Sequence, residues 1–216
     1  KGGAVLSYVR IGLKPEDIKT TKIATGGADL MIGGDLIVSG NSEGSETLAR
    51  GTKAVINVNE VITGAFTRNT EFRVPGNELQ DSIRDKVGQG NVDFIDATKI
   101  ATALLGDSIA TNFFLVGFAY QKGWLPSSAA AIERAIELNG AAIDMNKQAL
   151  AWGRRAAIDL DAVQKIAAPA KGRPQSERLS QTLDELIQRR VDHLTKYQDA
   201  AYAARYRALI DKVRAS

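Results

Sequence analysis

Residues 107–153 read DSIATNFFLVGFAYQKGWLPSSAAAIERAIELNGAAIDMNKQALAWG, from Asp107 to Gly153. Ile109, Phe113, Val116 and Tyr120 recur at helical spacing with Phe114 and Leu115 alongside, so the first helix is apolar around most of its circumference and is expected to be enclosed. A helix of that kind belongs to a core. Asn112 is a weak helix former among apolar neighbours. An unpaired buried amide costs on the order of a few kcal/mol, so Asn112 is expected to bond a neighbouring loop. Gly117 leaves room for another element to approach. The helix should stop at Gly123, with Pro126 close behind, and Ser127 or Ser128 then caps a second helix whose Ile132 and Ile136 face inward. Asn139-Gly140 ends that helix, and a third from about Ala141 carries Asn146, Leu150 and Trp152.

Upstream, short apolar runs alternate with helical patterns. Ala4 to Leu13 reads as a strand, with Val5, Val9 and Ile11 alternating in part with Ser7 and Arg10 and with Tyr8 and Arg10 looking out; Pro15 breaks it. Asp29 to Ile32 and Thr52 to Val58 read as further strands with a short helix, Asn41 to Arg50, between them. An extended piece, Thr70 to Val74, and a helix, Asn77 to Val87, follow; then come a buried-type strand, Val92 to Ile95, and a helix, Ala97 to Leu105. Strands separated by helices predict an α/β fold, a layered open sheet, mixed or parallel, with helices on both faces.

Such sheets bind ligands beyond the carboxyl ends of their strands, which here present Asp35, Asn57 or Asn59, and Asp96. Each has a plainer reading. Gly33-Gly34-Asp35 is a tight turn or a phosphate-binding turn without the full dinucleotide spacing. Asp96 is well placed to cap the helix after it, and Asp35 and Asn59 are ordinary turn residues.

Downstream, the third helix is expected to run through Ile158 and Val163 to Ala167, closing a domain of residues 1–167. Residues 168–176, APAKGRPQS, read as a linker, because two prolines and a glycine forbid a continuous helix. Residues 177–216 read as a helical C-terminal appendage, one long helix or two joined near Asp199, capped by Ser176. Leu179, Leu183, Leu186, Ile187, Leu194, Tyr197 and Ala201 form its stripe. Arg189-Arg190 and the cluster Tyr202, Arg205, Tyr206, Arg207 invite a nucleic-acid reading. Acidic residues interleave throughout, which favours a solvated helix packing on a protein partner.

A chain of 216 residues can bury one substantial core plus an appendage, and 44% hydrophobic with 25% charged residues is the composition of a soluble globular protein. The absence of cysteine excludes disulfides and any thiolate-held iron–sulfur cluster in these residues. The single histidine, His193, makes imidazole metal ligation unexpected, and no metal site is expected. A net charge of +3 is too small to point to nucleic acid, although residues 151–216 hold 13 Lys or Arg against 8 Asp or Glu. No apolar run approaches the roughly 18 residues of a membrane span and no signal peptide opens the chain, so the cytoplasm is the expected location, with no membrane partner. Lacking an initiator Met, the chain reads as a piece of a longer protein. Neither a serine triad nor a cysteine nucleophile can be assembled, and no GxxxxGK[ST] loop or GDG-type thiamine motif is present, so catalysis by this polypeptide alone is not expected.

The Asn112-bearing helix, the Leu125-Pro126 turn, the helix after it, and Asn146 followed by Gly153 together resemble the end of the gamma module of 2-oxoacid:ferredoxin oxidoreductases. Within that family the likeness is greatest to the long fused indolepyruvate ferredoxin oxidoreductases. The opening KGGAVLSYVRI resembles the module's glycine–glycine loop and strand, ADLMIGGDLIV its next strand and turn, and the arginine, tyrosine and alanine pattern of the tail the helical region that follows. The resemblance implies a share in oxidative decarboxylation of a 2-oxoacid to an acyl-CoA, with electrons passed to ferredoxin. Thiamine diphosphate, magnesium and iron–sulfur clusters would be held by other modules of the same enzyme. It also implies an upstream glycine-rich strand and turn, a homo-oligomer, and a surface that admits coenzyme A. Lys1, Gly2 and Gly3 are the first candidates for that surface, joined by Asp35 and Asn59. Asn112 and Asn146 match family positions and are read as structural. The alternative is a non-catalytic α/β interaction module that docks a partner through its basic helical tail, and a weaker one is a free-standing nucleotide or coenzyme A binder.

Overall fold

Three short strands, Leu30–Gly33 (β1), Lys53–Asn57 (β2) and Val92–Ile95 (β3), lie side by side in chain order as a parallel sheet. The computed structural model describes residues 5–59, 75–168 and 179–215. Ile32 stands opposite Val55, which stands opposite Asp93; one step on, Gly33, Ile56 and Phe94 align. Side chains alternate across a sheet, so Leu30, Ile32, Val55 and Ile95 enter one apolar cluster while Met31, Ala54, Ile56, Val92 and Phe94 enter another. Both faces are therefore covered, as expected for a parallel sheet.

The first cluster is closed by helices Ala97–Leu105 (α4), Thr111–Gln121 (α5), Ile143–Ile158 (α7) and Leu160–Ala167 (α8), through Ile100, Phe114, Leu115, Phe118, Ala156 and Val163. The second is closed by Leu36–Gly40 (α1) and Gly76–Val87 (α3), through Leu36, Ile83 and Val87. Full burial of a side chain such as Phe114 or Val163 stabilises by about 1.5–3 kcal/mol, so these two layers hold the domain together. Ser42–Glu46 (α2) and Ala129–Asn139 (α6) complete this unit.

α5 is the enclosed helix that its composition demands. Its buried face is Thr111, Phe114, Leu115 and Phe118; Phe113, Val116 and Tyr120 are half-buried, and Ile109 is exposed in the 3-10 turn Ser108–Ala110 that leads in. The close approach reserved for Gly117 is realised against α7. A Cβ on Gly117 would collide with the Leu150 carbonyl, and one on Gly153 with the Phe114 carbonyl. Gly123 takes a left-handed conformation (φ 76°) after the helix, and Ser128 caps α6 by accepting the Ala131 N–H at 3.1 Å. Of the inward pair on α6, Ile136 is buried and Ile132 half-buried.

Four expectations need correction. Residues 5–13 form no strand; Val5, Val9 and Ile11 are 68–77% exposed, because a strand needs a neighbour for its ladder and this segment has none among the described residues. It is tethered instead by Arg10, which donates to the Thr20 hydroxyl and to the Lys22 carbonyl at 3.0 Å. The helix expected over 41–50 is shorter, Ser42–Glu46, and an unexpected helix, α1, precedes it; Asn41 ends α1 and starts α2 by accepting the Gly44 N–H at 2.8 Å. The third helix does not run unbroken to Ala167. Asp159 stops α7, and its carboxylate accepts the Ala162 N–H at 2.9 Å to open α8. Asn112, expected to be enclosed, is exposed in the first turn of α5. The extended piece at 70–74, the cap at Ser176 and almost all of the 168–176 linker lie outside the described residues.

The chain divides into compact units of residues 1–168 and 169–216. In the second, Leu183–Tyr197 (α9) and Ala200–Arg214 (α10) are separate helices, α10 starting where Asp199 accepts the Tyr202 N–H at 2.7 Å. Thr182 caps α9 through the Glu185 N–H at 3.1 Å. Arg214 pairs with Asp184 at 2.6 Å, bringing the end of α10 beside the start of α9. Ile187 and Ala203 are buried, while Leu179, Leu183, Leu186 and Tyr197 of the expected stripe are exposed. No helix of the described residues is long and apolar enough to cross a membrane.

Candidate functional site

The carboxyl ends of the three strands deliver Gly33, Asn57 and Ile95 to one edge of the sheet. After β1 the chain must turn sharply beneath Ser39 and Ile56, where a Cβ on Gly33 would find no space. Asp35 then starts α1, its carboxylate accepting the Val38 N–H at 2.9 Å while its carbonyl accepts the Ser39 hydroxyl at 2.6 Å. After β3, Asp96 plays the same part for α4, accepting the Lys99 N–H at 3.2 Å. Both carboxylates at this edge thus hold helix starts, the role their residue type favours.

Asn57, only 3% exposed, joins the two turns. Its amide nitrogen donates to the Gly34 carbonyl at 3.0 Å and to the Thr98 hydroxyl at 2.8 Å. Its oxygen accepts the backbone N–H groups of Ala97 at 3.0 Å, Thr98 at 3.3 Å and Asn59 at 3.4 Å. Every donor and lone pair of the side chain is engaged, which is what makes a buried amide tolerable here. Beyond it, the hydroxyls of Thr98 and Thr111 lie 3.2 Å apart, and Thr111 also donates to the Ser108 carbonyl at 2.6 Å. A carbonyl can only accept, so the one Thr111 proton goes to Ser108 and the Thr98 proton fills the bond between the hydroxyls.

The next residue, Asn112, turns back to the first turn. Its Oδ1 lies 3.7 Å from where a Cβ on Gly34 would sit. Gly34 and Asn112 are both exposed, so main-chain and amide groups face solvent over this edge.

Of the candidate residues, Asp35 and Asn59 stand at this edge, linked through Gly34 and Asn57; Lys1, Gly2 and Gly3 lie outside the described residues. Asn146 is elsewhere. It is 6% exposed and its amide donates to the Ala141 carbonyl at 2.9 Å, closing the turn before α7 in which Ala142 is left-handed. The linking role of Asn57 and the Thr98–Thr111 pair went unforeseen. The available signal was an amide ending an apolar strand, where an unpaired polar group would be costly.

A groove of about 830 Å3 lies elsewhere again, in the second unit, lined by Leu186, Arg189, Asp192 and His193 among others. Chemistry argues against it as the site, for it is an open channel along α9 in which Arg189 is paired with Glu185 at 3.5 Å, and the Ser180 hydroxyl that lines it has no hydrogen bond to a base. No group of three or more metal-ligating side chains occurs among the described residues, and with no cysteine in the chain an iron–sulfur cluster has no thiolate here to hold it.

The model of the family described as pyruvate ferredoxin/flavodoxin oxidoreductase matches residues 1–156. A family of unknown function matches residues 183–216. Neither a curated protein nor a solved structure matches significantly.

Proposed function

From the premise that the chain belongs to the pyruvate ferredoxin/flavodoxin oxidoreductase family, we propose that it is the gamma-type module of a thiamine-dependent 2-oxoacid ferredoxin oxidoreductase. In this reading the whole enzyme converts a 2-oxoacid, with indolepyruvate the leading candidate, to an acyl-CoA and passes the electrons to ferredoxin. Thiamine diphosphate, magnesium and iron–sulfur clusters are assigned to sister modules, because the sequence has no cysteine and no GDG-type thiamine motif; no chemical step is assigned to this chain. Its contribution is a surface toward coenzyme A, formed at the carboxyl edge by Asp35 and Asn59 and, in sequence, by Lys1, Gly2 and Gly3. The observation that carries the reading is the family match over residues 1–156. It is supported by an open parallel sheet whose carboxyl edge is cross-linked by Asn57.

The test is an assay of the native assembly that contains this chain. Reduction of a low-potential dye should depend on both coenzyme A and a 2-oxoacid, and indolepyruvate should outrun pyruvate if the finer assignment holds. Dye reduction indifferent to every 2-oxoacid tried would remove the proposal. The reading of the chain as an interaction module is favoured by one observation, the exposed Leu179, Leu183 and Leu186 of the second unit. Identifying what accompanies the native protein separates the two, since an interaction module should be found with a partner that carries no 2-oxoacid activity whereas an oxidoreductase module should be found with its sister modules.

A further inference from the structure

The turns after β1 and β3 belong to segments about sixty residues apart in sequence, yet one side chain ties them together. We infer that Asn57 is a positioning residue of the carboxyl-edge surface: by tying Gly34 to the start of α4 it holds the Gly34 turn facing the Asn112 amide, where an amide-bearing ligand seats. The inference rests on the proposed coenzyme A surface and names what governs its shape.

Three hydrogen bonds and one step along the chain lead from the Gly34 turn round to the residue that faces it. Gly34 is bonded to Asn57, Asn57 to Thr98, Thr98 to Thr111, and the residue after Thr111 is Asn112, whose Oδ1 returns to within 3.7 Å of the open position on Gly34. Only an amide completes this path. It must donate to a carbonyl and a hydroxyl while accepting from main-chain N–H groups, and neither a carboxylate nor an alkyl group does both. Asn112 itself has no side-chain hydrogen bond among the described residues, so its donor and acceptor both remain for a ligand.

The chemistry of the edge selects the part of the ligand. Asp35 and Asp96 are occupied as caps, each accepting a main-chain N–H of its own helix. Beside them the Gly34 main chain and the Asn112 amide are exposed and uncharged. These match the two amides of a pantetheine arm and not the phosphates of coenzyme A.

The experiment titrates the full 216-residue chain with coenzyme A, pantetheine and inorganic phosphate, following the Gly34 and Thr98 amides and the Asn112 side-chain NH2 by NMR. Coenzyme A and pantetheine are expected to shift all three, and phosphate none. Asn57→Ser should weaken coenzyme A binding by about tenfold or more, as misplacement by about 1 Å does in other sites, while the amides of Val163 and Phe118 in the core stay where they are. Thr98→Val breaks a different link in the same path and should weaken binding in the same direction, so the inference stays open to test even if a variant at Asn57 does not fold. Asn57→Asp supplies a readout that loss of packing would not give: binding should recover as pH falls and the introduced carboxyl becomes neutral and able to donate. Folded Asn57→Ser and Thr98→Val proteins that bind coenzyme A like the wild type would overturn the role of Asn57 and leave the surface standing. A response to phosphate alone would overturn the pantetheine assignment. Failure of the wild type to respond to coenzyme A or pantetheine would overturn the surface itself, and the inference with it.

Discussion

Gly117 and Gly153 make the contact between α5 and α7 possible. Each lies where a side chain would run into the backbone of the opposite helix, and a backbone carbonyl cannot swing aside as a flexible side chain can. Gly117→Ala and Gly153→Ala are each expected to cost about 3 kcal/mol or more, at or beyond the upper end of overpacking effects, read as a lower urea midpoint. Gly123→Ala is the control. Nothing lies within 4 Å of its added Cβ, so only its left-handed φ of 76° is strained and about 1–2 kcal/mol is expected. Losses at Gly117 and Gly153 no larger than at Gly123 would mean that the two helices move apart without cost and that the close contact does not hold them. The close approach at Gly117 was legible because a glycine inside an enclosed apolar helix has few other uses. The surroundings of Asn112 were not. Apolar neighbours in sequence do not say which side of the first turn meets the sheet and which meets water, and that side is set by the Ser108–Ala110 lead-in.

At the scale of elements, the helix ends carry most of what could be read in advance. β3, α4 and their junction at Asp96 follow from a short run, Val92–Ile95, that is apolar except for Asp93, a capping aspartate and a closing glycine, all local signals. The break at Asp159 had the same signal and was overridden by apolar periodicity that continues from Ile158 to Val163. Asp159→Ala is expected to cost about 1 kcal/mol, the usual loss of an N-cap, measurable by thermal denaturation; no loss would mean that packing of Val163 alone fixes the corner. α6 shows how a mostly exposed helix is held. Glu137 on α6 meets Lys147 of α7 at 2.7 Å and Arg134 at 2.9 Å. The hydrogen bond from Lys147, then that from Arg134, holds the Glu137 carboxyl below its ordinary value of 4.5, and the same bond raises Lys147 above 10.5. The contribution of Glu137 is therefore complete above pH 4.5 and lost as pH falls through the lowered value; that of Lys147 is complete below pH 10.5 and lost as pH rises through the raised one. A carboxyl-carbon NMR titration of Glu137 should show a midpoint below 4.5 that moves upward in Lys147→Met. A midpoint indifferent to that change would remove the link between the two helices. Both side chains remain partly in water, so the effect on global stability is small.

Across the whole molecule, burial is distributed unequally between the two units. Residues 1–168 contain both sheet faces and a third small cluster of Ala101, Ala110 and Ala149, whereas in α9 and α10 the buried apolar side chains are Ile187 and Ala203. Helices of 15 residues are marginal on their own, and the exposed Arg214–Asp184 pair adds about 0–1 kcal/mol at most. This imbalance could not be read from the tail's sequence. Its apolar residues recur correctly for one helix face, but periodicity does not reveal whether anything lies against that face. Local opening should therefore cost far less in the second unit than in the first. Native-state hydrogen exchange on the full chain should find the amides of Leu194 and Ala203 exchanging through cheaper openings than those of Val55 and Ile56, since opening free energies run from about 0 in the least stable segments to the global value in core strands. Equal protection would mean that Leu179, Leu183, Leu186, Leu209 and Val213, exposed in the structure, are covered in solution. A protection difference that closes as protein concentration rises would identify that cover as a second copy of the chain, because only an intermolecular contact follows mass action.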